Sequence, residues 1–238
     1  MQLDDYYCAN GDHIKISRQQ ASDFAKGVAG DFNPIHNVDA KRFCVPGDLL
    51  FALALQRYGL SQRMAVVFSG MVGDGVTLNF AQSDASAIDI TDAAGKTYLR
   101  LERAGECTLD ASRVNELTRR YVQFSGRTFP HILVPLMQQQ QVILNPQRPF
   151  VIYENMNIDL KRLDFEVPQL ELDESSLQVV GKRGEARLHF KVLDRGVEIG
   201  SGAKTMLLSG LQPYTQAQAE LLVGDYTANK DRYQARPD

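Results

Sequence analysis

The run Leu49-Leu50-Phe51-Ala52-Leu53-Ala54-Leu55 carries no polar residue on any face. A helix of that sequence has to be covered on nearly every side. It is also far shorter than the ~18 residues a membrane span requires, so the cover must be the rest of the chain. Gly59 is well placed to end it. From there the hydrophobic period changes to two: Val76, Leu78 and Phe80 alternate with polar residues, and so do Ile88 and Ile90, then Leu99 and Leu101. Asp92 to Gly95 reads as the hairpin turn between the last two segments. The pattern predicts a unit of one buried helix and several antiparallel strands.

Upstream, His13 to Ser17 alternates as a short strand would. Ser17 and Gln20 have capping-box spacing, and Ala21, Phe24, Ala25 and Val28 then mark one face of a helix. The second half of the chain repeats this order. Val114, Leu117, Tyr121 and Val122 give an amphipathic helix, and Ile132 to Met137 a short apolar stretch. The link Asn145 to Pro149 follows, then strand-like segments at Met156 to Leu160, Leu188 to Val192 and Met206 to Leu208, with a turn at Asp194 to Gly196. Residues past Pro213 read as a polar tail with a helical turn around Ala217 to Leu222. An internal repeat supports this parse. With an offset of 96 residues, Ala29 to Pro34 lies over Ser125 to Pro130, glycine on glycine and proline on proline. Asp31 then falls on Arg127 and His36 on Ile132, so the second copy lacks the acid and the base. We expect two units, residues 1–110 and 111–238.

At 238 residues the length suits one large domain or two of about 110 to 120 each. A net charge of −3 provides no basic field for nucleic acid. Three scattered cysteines, Cys8, Cys44 and Cys107, suit neither a disulfide scaffold nor a zinc site. The acidic N-terminus has no signal-peptide core, and no segment reads as a membrane span. A cytoplasmic protein is expected.

One loop concentrates chemistry. Between Ala29 and Asp39 stand a carboxylate, an amide, a proline and an imidazole: Asp31, Asn33, Pro34 and His36. Gly30-Asp31-Phe32-Asn33-Pro34-Ile35-His36 resembles the hydratase signature G-D-x-N-P-[IL]-H of MaoC-like dehydratases and (R)-specific enoyl-CoA hydratases, and Val45-Pro46-Gly47 before an apolar helix is similar to the entry to their central helix. The resemblance implies an α+β chain of two tandem hotdog folds, each a curved antiparallel sheet wrapped around a central helix. It implies an acyl-thioester substrate on coenzyme A or acyl carrier protein, no metal, no other cofactor, and pairing of hotdogs that extends to a homodimer of double units. Three positions depart from the family: Ala29 replaces its serine, Asp39 lies three residues rather than two after the histidine, and Asp48 follows Gly47.

Adding water to an α,β-unsaturated thioester requires a base for the water, an acid for the α carbon and a donor for the enolate oxygen. Asp31 and His36 would hold the water and move both protons. Asn33 would orient loop or water, Pro34 would stiffen an extended loop, and the Gly47 amide would face the thioester oxygen. Lys161, Arg162, Lys182 and Arg183 are candidates for phosphate contacts. The same residues admit plainer roles: His36 as a loop histidine, Asp31 and Asn33 as turn formers, Gly47 and Asp48 as helix-start residues, and Cys44 as a buried inert thiol. A non-catalytic thioester-binding protein and an acyl-CoA thioesterase stand as alternatives.

Overall fold

In a computed structural model, residues 2–147 and 150–235 are described, so Arg148 and Pro149 of the expected link lie outside the described residues. The chain begins with β1 (Cys8–Asn10), β2 (His13–Lys15) and α1 (Arg18–Asp23), which continues as a π-helical turn over Phe24–Ala29. The capping box forms as expected. Ser17 Oγ accepts from the Gln20 amide at 3.2 Å, and Gln20 Oε1 accepts from the Ser17 amide at 3.0 Å. The apolar run lies in α2 (Gly47–Tyr58), where every residue from Asp48 to Leu55 is buried. Gly59 ends it in a left-handed conformation that a side chain would strain.

Next come β3 (Leu60–Phe68), β4 (Thr77–Asn79), β5 (Ala87–Asp92) and β6 (Thr97–Thr108). The second half contains α3 (Ala111–Gly126), α4 (Thr128–His131), α5 (Leu133–Gln139), β7 (Val142–Leu144), β8 (Phe150–Leu160), β9 (Pro168–Val180), β10 (Arg183–Asp194), β11 (Val197–Ser209), β12 (Leu211–Pro213) and α6 (Gln216–Gln234). Ten strands form one sheet in the order β1-β2-β4-β5-β6-β3-β8-β11-β10-β9, and β12 pairs with β7 separately. All the pairings are antiparallel. The halves are joined edge to edge by β3 and β8, in register from Arg63 opposite Asp159 to Val67 opposite Asn155. Register shifts interrupt β3–β6, β5–β6, β8–β11, β9–β10 and β10–β11. Each is a point where an extra residue bends the strand.

The architecture is two tandem hotdogs, with the halves built unequally. In the first, α2 shares one apolar core with inward residues of β3 to β6. That core also takes in Val114, Leu117, Tyr121 and Val122 of α3, Met156 and Ile158 of β8, and Phe190 of β10. Phe51 of α2 meets the Tyr121 ring at 5.1 Å between centroids. In the second half, α5 stands where α2 would be expected but has only seven residues. A separate core around Leu133, Met137, Leu188, Met206 and Leu208 is completed by Ala219 and Leu222 of α6. The expected polar tail is therefore a 19-residue helix. Its apolar positions are sparse, which is why its sequence read as a tail.

Candidate functional site

The loop after the π turn is a chain of local caps. Gly30 takes a left-handed φ of 70°, and the Asp31 amide donates to Ala25 O at 2.8 Å. Asp31 Oδ1 accepts from the Asn33 amide at 2.9 Å, and Asn33 Oδ1 accepts from the Ile35 amide at 3.2 Å. Pro34 opens a 3-10 turn, Pro34–His36, rather than an extended segment; its fixed φ suits the first position of such a turn. These local bonds set the course of the loop between Asp31 and His36.

His36 is buried, and its Nδ1 lies 2.7 Å from the Cys44 carbonyl oxygen. A carbonyl only accepts, so Nδ1 carries a proton, and in that tautomer Nε2 is the acceptor nitrogen. Nε2 stands 3.6 Å from Asp31 Oδ2. That is too long for a direct hydrogen bond, but two atoms so spaced can each lie about 2.8 Å from one water. A water donating to both would turn its lone pairs outward.

Both groups line a cavity of about 390 Å³ that also contains Asn33, Gly47 and Asp48. The second-half loop faces the same space through Ser125, Gly126, Thr128 and Phe129, while its Arg127 and Ile132 are not among the lining residues. Gly47 is the first residue of α2, whose start has no side-chain cap, so its amide has no intrahelical acceptor. The space a Cβ would occupy there is taken by the Tyr153 and Phe68 rings, 3.0 and 3.2 Å away. Packing of those rings therefore accounts for the glycine, as much as any close approach by a ligand.

Sequence reasoning missed three polar residues of this cavity as a group. Ser125 donates to Asp48 Oδ2 at 2.6 Å and accepts from Lys204 Nζ. The Lys204 ammonium lies over the Tyr153 ring, 4.0 Å from its centroid. All three residues are buried. Burial pushes the Asp48 carboxyl up, opposed by Lys204 and the Ser125 bond, and burial pushes the Lys204 amine down, opposed by Asp48. The acidic residue that looked out of place beside Gly47 thus has a buried countercharge. The signal was available in β11, where Lys204 takes an inward position between Gly202 and Met206.

Helix α6 covers the loop from outside. The Tyr226 hydroxyl donates to Gly30 O at 2.8 Å, and Phe32 packs edge-on to Tyr226 with centroids 5.6 Å apart. Burial pushes the Cys44 thiol up to about 12, which disfavours the reactive thiolate. The basic residues proposed for phosphate are not among the cavity-lining residues. Lys161 pairs with Glu198, and Arg162 with Asp164 and Asp194, because they project from strand ends on the outer surface. Among the described residues no group of three His, Cys, Asp or Glu is placed to hold a metal. Nor is any helix long and apolar enough to cross a membrane.

Solved structures with a similar course include a conserved protein with a hot dog fold from Alicyclobacillus acidocaldarius (8% identity, TM-score 0.47, covering 89% of this chain and 98% of that one). A MaoC-like dehydratase (10%, 0.43, 87% and 99%) and an acyl-CoA thioesterase II from Mycobacterium marinum (10%, 0.40, 71% and 91%) also match. At such scores none of these says what this chain binds or turns over. No curated protein matches it by sequence. The family model described as "Protein of unknown function (DUF3581)" matches residues 1–217, and the chain belongs to that family.

Proposed function

We propose that the chain adds water to, or removes it from, a 2-enoyl thioester, with Asp31 and His36 as the acid–base pair. The observation that supports this is the His36 tautomer. With Nδ1–H held by Cys44 O, Nε2 faces Asp31 Oδ2 across 3.6 Å, at the wall of the cavity. A water donating to both attacks the β carbon, one of the pair takes its proton, and that proton returns to the α carbon. The amide of Gly47 receives the thioester oxygen as charge builds there, and Asn33 holds the loop in shape. Dehydration is the same path in reverse.

In this reading the substrate arrives on coenzyme A or acyl carrier protein, in the cytoplasm, to a chain that pairs as a homodimer. Residues 1–110 supply the acid and base, and residues 111–238 the rest of the cavity. A thioesterase is the second reading, because water activated by the same pair could attack the thioester carbonyl instead.

The test follows both outcomes in one cuvette, using enoyl thioesters of several chain lengths. Loss of conjugated absorbance without release of thiol is expected. Thiol release without hydration moves the assignment to a thioesterase, and binding with neither signal moves it to a non-catalytic binding protein.

A further inference from the structure

We propose that Asp48, Ser125 and Lys204 form a second polar station in the cavity, which takes a hydroxyl carried on the acyl chain. This rests on reading the cavity as an acyl-thioester site. Asp48 Oδ1 is buried and has no hydrogen-bond partner among the described residues. Its other oxygen is occupied by Ser125, whose hydroxyl is in turn held by Lys204. A buried carboxylate oxygen without a donor is costly to keep, and this one belongs to a residue that lines the cavity. Lys204 has three N–H donors, and among the described residues its hydrogen-bond acceptor is Ser125 Oγ.

The charges narrow the occupant. An anion such as phosphate is disfavoured by Asp48, and a cation by Lys204. A neutral group that donates to the carboxylate and accepts from the ammonium suits both, and a hydroxyl does so with one atom. The surroundings place it on the acyl chain rather than the carrier. Lys204 is followed two residues along the same face of β11 by Met206, and both line the cavity, as do Leu133 and Leu144. A polar station embedded in an apolar wall reads a mark on an otherwise apolar chain. The station draws on both halves, with Asp48 from α2 and the other two from α3 and β11.

The experiment is calorimetric titration of the full chain with S-alkyl pantetheine thioethers of one length, unsubstituted or hydroxylated at successive carbons. At one carbon the hydroxyl should tighten binding by about tenfold or more, as a hydrogen bond to a charged group does. In Asp48→Asn and Lys204→Met the ratio of hydroxylated to unsubstituted affinity should shrink towards one. Equal affinity across the panel in the wild type overturns the proposal while leaving the thioester site standing. If no thioether binds at all, the thioester reading itself falls and takes this inference with it. Should either variant fail to fold, equal affinity across the wild-type panel still overturns the proposal.

Discussion

Gly126 lies against the backbone of Ala29, so close that a Cβ on it would stand 2.0 Å from Ala29 O. These are neighbouring positions of the two repeated loops, in contact across the join between the halves. The loop that carries Asp31 and His36 is therefore braced from behind by the second-half loop.

Gly126→Ala should accordingly destabilise the protein by about 1–3 kcal/mol or more, as overpacking does. For a chain of this size that is a fall in melting temperature of roughly 2–4 °C per kcal/mol. Thermal unfolding followed by circular dichroism measures it. An unchanged melting point would show that the loop yields freely.

Asp31→Asn and His36→Ala should each remove hydration activity, and the double variant should be little worse than either, because both changes disable one proton-transfer unit. Single-turnover assays with the three variants check this. Losses that multiply would mean the two residues act in separate steps.

The buried Asp48–Lys204 pair sets up a stability cycle. Lys204→Met leaves a carboxylate uncompensated and should cost about 3–5 kcal/mol, whereas Asp48→Leu with Lys204→Met should recover most of the loss. Urea denaturation of the single and double variants reads the coupling. Additive losses would show that the two charges do not depend on each other.

Cysteine reactivity gives a direct reading of burial. Cys8 and Cys107 are exposed, whereas burial raises Cys44 to about 12. Native protein should therefore present two thiols promptly to a disulfide reagent and the third only after unfolding. Three fast equivalents would place Cys44, and the carbonyl that holds His36, in open solvent.

The β10–β11 turn should contribute to acid sensitivity. The backbone amide of Val167, the Arg162 guanidinium and the amide of Glu166 hold the Asp194 carboxyl below the usual carboxylate range. A group whose native value is depressed lends stability above its unfolded value of about 3.9, and loses it as pH falls through the native one. Asp194→Asn should lower stability at neutral pH and flatten the loss below about pH 4. Denaturation midpoints across pH 2 to 7 test both the size and the sign.

What the sequence disclosed was what is local. Helix α2 was legible because its core-facing residues are contiguous, and Asp31 and His36 because they stand five positions apart on one self-capped loop. Strand β3 was missed because its bulge between Ser61 and Arg63 breaks the alternation. Strand β9 was missed because it lies at the sheet edge with only Pro168 and Leu177 buried, so it reads as solvated loop. The polar station was illegible for a different reason. Ser125 lies 77 residues from Asp48 and 79 from Lys204, distances at which spacing carries no information and only the sheet brings the side chains together.

The shared core around α2 has a consequence for how this molecule comes apart. The helix shares its core with its own strands and with Tyr121, Met156 and Phe190 from beyond residue 110. Cutting the chain there would strip water-insoluble surface bare on both fragments. Neither fragment should then hold its shape alone, and the whole should melt in a single cooperative transition although it is built as two tandem hotdogs. The repeat describes how the chain is written, and the thermodynamic unit is the pair.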